Sequence, residues 1–280
     1  MATNGDPSPT AGDPSPTAGL QTHTTPNKTW RLTTRKLPIL RAGPIEALHS
    51  RLTIPVPEMI FGDNYIQLTH LPTSFSLAFN APDALDRVSK TEEGMLQVAV
   101  ADEWKKDRKG QIEDGVEGVV KKYDWSYSTD YRGTTSGGKG EEGWRESTAD
   151  HDPIRTDLLS KPDPILFFDS VDLYEDELAD NGIALLSVKV RVMPERLLLL
   201  SRFFLRLDGV VVRIRDTRVY LEYATGKVVR QYTAKEEEYE VLREKLGGRR
   251  EGVTEQLRDA NVLAPLLRTV EEKTDVYEVG

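Results

Sequence analysis

The sequence contains no cysteine and only four histidines in 280 residues. The first absence excludes disulfides, thiol catalysis and cysteine-ligated metal, and suits a reducing compartment. The histidines (His23, His49, His70 and His151) show no paired ligand spacing, and neither a His-Glu-x-x-His nor a Gly-x-Ser-x-Gly motif is present. Long hydrophobic runs are also missing: none approaches the ~20 residues of a membrane span. The opening residues resemble neither a signal peptide nor an Arg-rich transit segment, so the expected location is cytoplasmic or nuclear. Positive charge is in deficit, with 37 Lys and Arg against 46 Asp and Glu and a net charge of −9. That balance argues against general binding to a phosphate backbone, while leaving room for a local basic patch.

What is present suffices for one sizeable core, since 38% of the residues are hydrophobic. Residues 1–26 hold a direct repeat, GDPSPTA at 5–11 and 12–18, with almost no apolar groups. Such a segment cannot offset its ordering entropy and is expected to be a disordered tail. Residues 27–280 read as a single α+β domain built on antiparallel β-sheets with flanking helices. Strands are predicted within 29–40 (an edge strand broken at Pro38), 64–70 and 74–80. Short helices are predicted at 43–52, with Pro44 in the first turn, and after Asn80 as cap. LQVAVADEWKK reads as further helix, residues 107–118 and 132–152 as mobile loops, and 119–131 as a strand with alternating Tyr123, Trp125 and Tyr127. A four-stranded meander follows from Ile183, with turns at Pro194, Asp208-Gly209 and Thr225-Gly226. Residues 235–246 read as an amphipathic helix, and a second helix is expected within 253–268.

The most informative stretch is RFFLRLDGVVVRIRDTRVY, residues 202–220. Asp208-Gly209 between apolar runs predicts a two-residue hairpin turn. The resulting register sets Leu207 against Val210 and Arg202 against Arg215. Phe203, Leu205, Leu207, Val210, Val212 and Ile214 then share one face, and Arg202, Arg206, Arg213 and Arg215 share the other. Four guanidinium groups on one face need anions. Two sources stand open: the protein's own acids in FFDSVDLYEDEL, or a carboxylate of a partner, which suits the guanidinium fork.

Two other motifs are decoys. GTTSGGKG at 133–140 matches most of a phosphate-binding loop, but Gly140 stands where Ser or Thr should reach the metal, and no strand and helix flank it. FGDN at 61–64 lacks the companion ligands of a two-metal site and reads as a turn. No cofactor is expected.

PEMIFGDN (57–64), FNAPDAL (79–85), ADEW (101–104), YDWSYSTDYRGT (123–134), LYEDEL (173–178), SVKVRVMP (187–194) and the hairpin at 202–220 occur in one order. Together they resemble the TIPRL family, the TOR-signalling-pathway regulator-like proteins, whose fungal members are the Tip forty-one proteins. The resemblance spans about residues 29–233. It implies a non-catalytic regulator that binds the catalytic subunits of type 2A protein phosphatases. An alpha-four/Tap-type phosphatase chaperone is a further implied partner. The implied fold is one α+β domain with a cleft for the phosphatase's acidic, carboxylate-ending tail.

On that reading the candidate partner-binding residues are Asp83, Ile154, Arg191, Arg202, Arg206, Arg213, Ile214, Arg215 and Asp216. Each has a structural alternative: Asp83 as a helix-start acid, Ile154 and Ile214 as core, and Asp216 as a partner of Arg218. Two other functions remain open from sequence. One is an enzyme acting on a small anionic substrate in the same Arg-rich pocket, and the other a scaffold whose contacts run through residues 235–246.

Overall fold

The structure is a computed structural model describing residues 15–52, 54–88, 127–178, 180–248 and 253–279. Its first sheet orders β1 (Leu20–Thr24), β2 (Trp30–Arg35), β4 (Tyr65–His70), β5 (Ser76–Asn80) and β6 (Thr134–Ser136), all antiparallel. The second orders β3 (Met59–Ile60), β8 (Phe167–Asp176), β9 (Gly182–Val192), β10 (Arg196–Leu207), β11 (Val211–Glu222), β12 (Lys227–Glu238), β13 (Arg268–Glu278) and β7 (Trp144–Ser147). The expected α+β class holds, in a mostly β form. Among the described residues no helix is long and apolar enough to cross a membrane.

The two sheets face each other across the main core. Trp30, Leu32, Ile66, Leu68 and Phe79 of the first meet Val188, Val190, Leu199, Phe203 and Leu205 of the second. Fully burying each such side chain contributes about 1.5–3 kcal/mol. The second sheet is also covered on its outer face. There Phe204, Val212 and Ile214 pack beneath Leu242, Leu257, Leu263 and Leu267. These come from or border the short helices Tyr239–Lys245, Val253–Gln256 and Ala260–Leu263. Further along the outer face, Tyr220, Val229 and Val276 pack against Ile154, Leu159 and Leu198. Burial on both faces explains the unbroken apolar run LLLL of β10, which a half-exposed sheet would interrupt with polar residues.

Several expectations need correction. The tail does not extend to residue 26, because Leu20–Thr24 pairs with Trp30–Arg35, which is therefore an interior strand. Residues 132–152 are not a loose loop: they supply β6, a 3-10 turn at Gly140–Gly143 and β7. The helix expected from 235 begins at Tyr239, since β12 runs to Glu238 to match the length of β11. The second helix expected within 253–268 is present as two short helices, Val253–Gln256 and Ala260–Leu263, after which the chain forms strand β13. The expectations for LQVAVADEWKK, for 107–118 and for Tyr123 and Trp125 lie outside the described residues, whereas Tyr127 and Tyr131 are core.

Other local rules hold. Asn80 caps the helix Ala81–Asp86, its side chain accepting the Asp83 N–H at 2.9 Å.

Candidate functional site

The loop after β10 decides where each arginine points. Gly209 adopts φ 74°, Val210 N–H donates to Leu207 O at 3.0 Å, and Leu207 pairs with Val211. The loop is therefore Asp208, Gly209 and Val210, one residue longer than a two-residue turn. Every β11 side chain changes faces relative to the sequence expectation. Arg202 now faces Asp216, Phe204 faces Ile214 and Arg206 faces Val212; on the other side Phe203 faces Arg215 and Leu205 faces Arg213. The physical reason is legible in the pairs themselves: the shorter turn opposes Arg202 to Arg215, whereas the observed one opposes an arginine to an aspartate.

The four arginines thus do not form one face. Arg202 and Arg206 lie on the outer face, among the C-terminal helices. Arg202 donates to Asp216 from Nε and Nη2, both at 2.7 Å, and to Asn261 Oδ1 at 2.8 Å. Arg206 donates to Asp208 Oδ1 at 2.6 Å and to Leu257 O at 3.2 Å. Ile214 is 1% exposed beneath those helices and offers no surface to a partner in this conformation. Asp216 is buried and also accepts from Arg218 at 2.8 Å.

Arg213 and Arg215 lie on the inner face, where residues 127–131 cross the sheet. Arg213 Nη1 donates to Ser128 Oγ at 3.1 Å, and its Nε stands 3.3 Å from Glu236 Oε2. Arg215 donates to the same Oε2 at 3.0 Å and to Lys235 O at 2.8 Å. Burial works to raise the Glu236 carboxyl, but the Arg215 hydrogen bond and the charges of Arg213, Arg215 and Arg268 outweigh it and hold it below the usual range. Tyr232 stands on the same face, and burial pushes its phenol up to about 12. The expected acids in FFDSVDLYEDEL are not the partners: Asp169, for one, binds Lys36 and Thr34.

The remaining candidates are dispersed. Asp83 accepts from Asn80 Nδ2 at 2.8 Å and from Thr134 Oγ1 at 2.5 Å, closing a local cap. Ile154 packs against the outer-face cluster around Tyr220. The Arg191 side chain makes no hydrogen bond or ion pair among the described residues, and the residue sits opposite Phe168, which is 59% exposed. A cavity of about 450 Å3 lies elsewhere, lined by Pro26, Leu158, Pro194, Arg196 and Tyr223. Arg196 there is already engaged by Asp163 and Leu158 O.

Glu236, Ser128 and Tyr232 were not anticipated as members. Glu236 was legible, because counting back from the Thr225-Gly226 turn, where Glu222 pairs with Lys227, sets it opposite Arg213. Chemically, the inner cluster presents two guanidinium groups that share one carboxylate. Among the described residues no group of three or more His, Cys, Asp or Glu could hold a metal ion. The arrangement can receive an anion through charge-assisted hydrogen bonds.

A sequence model of the TIP41-like family matches residues 59–243. The chain is 44% identical over 208 residues to the TIP41-like protein of Homo sapiens, covering 74% of each. It is 37% identical over 264 residues to the type 2A phosphatase activator TIP41 of Saccharomyces cerevisiae, covering 89% of this chain and 73% of that one. With the type 2A phosphatase activator tip41 of Schizosaccharomyces pombe it shares 33% identity over 256 residues, covering 90% of this chain and 96% of that one.

Proposed function

Because the chain belongs to the TIP41-like family, we propose that it is a non-catalytic regulator in TOR signalling that binds type 2A protein phosphatase catalytic subunits. The observation that carries the site is the inner-face pair Arg213 and Arg215, whose guanidinium groups both converge on the carboxylate of Glu236. The occupant is the phosphatase's acidic C-terminal tail, whose carboxylates suit paired guanidinium forks. The names of the Saccharomyces and Schizosaccharomyces relatives, type 2A phosphatase activators, support the choice of partner.

The body of the phosphatase meets the outer face at exposed Phe168 and the half-buried Arg191 opposite it, with half-buried Asp83 and Ile154 as separate, dispersed contacts. Arg202, Arg206, Ile214 and Asp216 act from beneath, by holding the C-terminal helices on the sheet. The alpha-four/Tap-type chaperone belongs to the same assembly, in the cytoplasm or nucleus.

The test is capture of a purified type 2A catalytic subunit by the immobilised protein, beside a turnover assay on phosphorylated metabolites without phosphatase. Retention of the subunit and absence of turnover are expected. Turnover that disappears on Arg213→Gln would replace the regulator with an enzyme acting on a small anion.

A further inference from the structure

Strand β8 has a full-length neighbour on one side only. β9 pairs with it from Phe167 to Asp176, whereas β3 on the other side meets only Tyr174 and Glu175. Next to β3, Phe61 N–H donates to Leu173 O and Asn64 Nδ2 to Asp172 O. Among the described residues no backbone group pairs with residues 167–171 on that side. Backbone direction alternates along an antiparallel strand. Asp172 O turns to the open side, and Ser170 N–H is held by its neighbour's Asp169 Oδ1 rather than by a strand. By the same alternation Phe168 presents its N–H and C=O to the open side, with no partner there.

The surface beside this edge is apolar and basic. Nine large apolar side chains stand exposed among the described residues, and three of them, Ile165, Leu166 and Phe168, fall within residues 165–168. Such clustering marks a contact surface, where scattered exposed residues would not. On the same face Phe168 sits opposite Arg191 and Ser170 opposite Lys189. Lys189 is exposed, and neither cation has a carboxylate partner among the described residues, although the chain carries a net charge of −9.

We infer that the open edge of β8 docks an extended segment of a partner protein, one carrying a bulky apolar residue beside carboxylates. The segment adds as a strand along residues 167–171. Main-chain hydrogen bonds supply affinity, while Leu166 and Phe168 receive the apolar side chain. A carboxylate on the added strand stands two strand spacings, about 10 Å, from β9, a gap that its own side chain and that of Lys189 or Arg191 close between them. The opposite end of β8 carries exposed Asp172 and Glu177, so the segment's carboxylates lie at the Phe168 end. On the reading above the segment belongs to the body of the type 2A catalytic subunit, and the inference rests on that reading.

The experiment is amide hydrogen exchange of the full chain, alone and with purified type 2A catalytic subunit, beside the affinities of Phe168→Ala, Phe168→Pro and Lys189→Gln/Arg191→Gln. Proline removes the outward N–H that alanine keeps, and an edge strand tolerates it. Thermal unfolding confirms each fold, and the exchange measurement needs no variant.

The subunit is expected to slow exchange within residues 165–172. Phe168→Ala is expected to weaken binding by about tenfold, and Phe168→Pro by a further ~3- to 10-fold. The charge variant is expected to bind about tenfold more weakly and with a flatter dependence on salt. A bound subunit with unchanged exchange there, or with equal affinity for the two Phe168 variants, would overturn strand addition while leaving the regulator standing. A subunit that fails to bind the full chain would overturn both. Dimerisation of the full chain that Phe168→Pro abolishes, followed by sedimentation, would give the edge to a second copy and overturn the inference as well.

Discussion

Arg202 on β10 and Asp216 on β11 stand directly opposite each other and join through two parallel hydrogen bonds of 2.7 Å, both side chains largely withdrawn from water. This pair fixes the hairpin register, because a slip of one residue would face Arg202 with another arginine. Removing one partner leaves a buried charge uncompensated, which costs about 3–5 kcal/mol. Asp216→Asn is therefore expected to lower unfolding stability by an amount in that range. Arg202→Met with Asp216→Leu, which removes both charges together, is expected to recover most of it. Urea unfolding of the three proteins checks this, and a double variant no better than Asp216→Asn would deny the pair its role.

Asp169 ties the two sheets together. It sits buried on β8 and accepts from Thr34 Oγ1 of β2 at 2.5 Å, with Lys36 as its ion-pair partner. Burial pushes its carboxyl up, but the hydrogen bonds from Lys36, Thr34 and the Ser170 N–H push it down by more, and the net position is below the usual range. A carboxylate depressed in the folded state adds stability above the unfolded value of ~3.9, and that stability is lost as pH falls through the lower folded value. The full chain is expected to lose stability below about pH 5. Asp169→Asn is expected to be less stable at neutral pH and flatter in the acid limb. Unfolding midpoints measured across that range would contradict this if the two slopes coincide.

Gly137 belongs to the stretch that imitates a phosphate-binding loop, yet its glycine serves the fold. It adopts φ 66°, and a Cβ there would collide with the Ser74 carbonyl. Nearby, the Lys139 N–H donates to Tyr277 Oη at 2.7 Å, so this backbone donor is turned to the protein rather than to a ligand. Gly137→Ala is expected to cost about 1–3 kcal/mol, and titration with magnesium and ATP is expected to give no heat in either protein. Nucleotide binding lost on substitution would restore the discarded motif.

Turn chemistry and capping were legible in the sequence where they depended on neighbours in the chain. Asn80 as a cap, Pro44 in a helix start and the meander from Gly182 to Glu238 all follow from local rules. The errors share one cause. Alternation was read as if only one face of the sheet were buried, so Val212 and Ile214 were assigned to the same face as Phe203, when a second layer of helices covers them. The helices of that layer were expected near 235–246 and 253–268, but nothing local in β10 or β11 says that they fold back over this face. The arginines were correctly picked out as a concentration of charge, but their division into two faces depends on a single loop residue, Val210. Glu236 was passed over because the composition of KEEE favours helix, although the register counted from the Thr225-Gly226 turn already sets it opposite Arg213.

The central claim is that the inner pair, not the outer arginines, receives the phosphatase tail. Its most direct test is the affinity of a type 2A catalytic subunit for Arg213→Gln/Arg215→Gln beside Arg191→Gln/Arg206→Gln, each verified as folded. The account expects the first double variant to lose about tenfold or more in affinity for the intact subunit, and to become indifferent to methyl-esterification of the tail. The second is expected to weaken binding without abolishing that discrimination. Undiminished affinity and intact ester discrimination in the first variant would contradict the account.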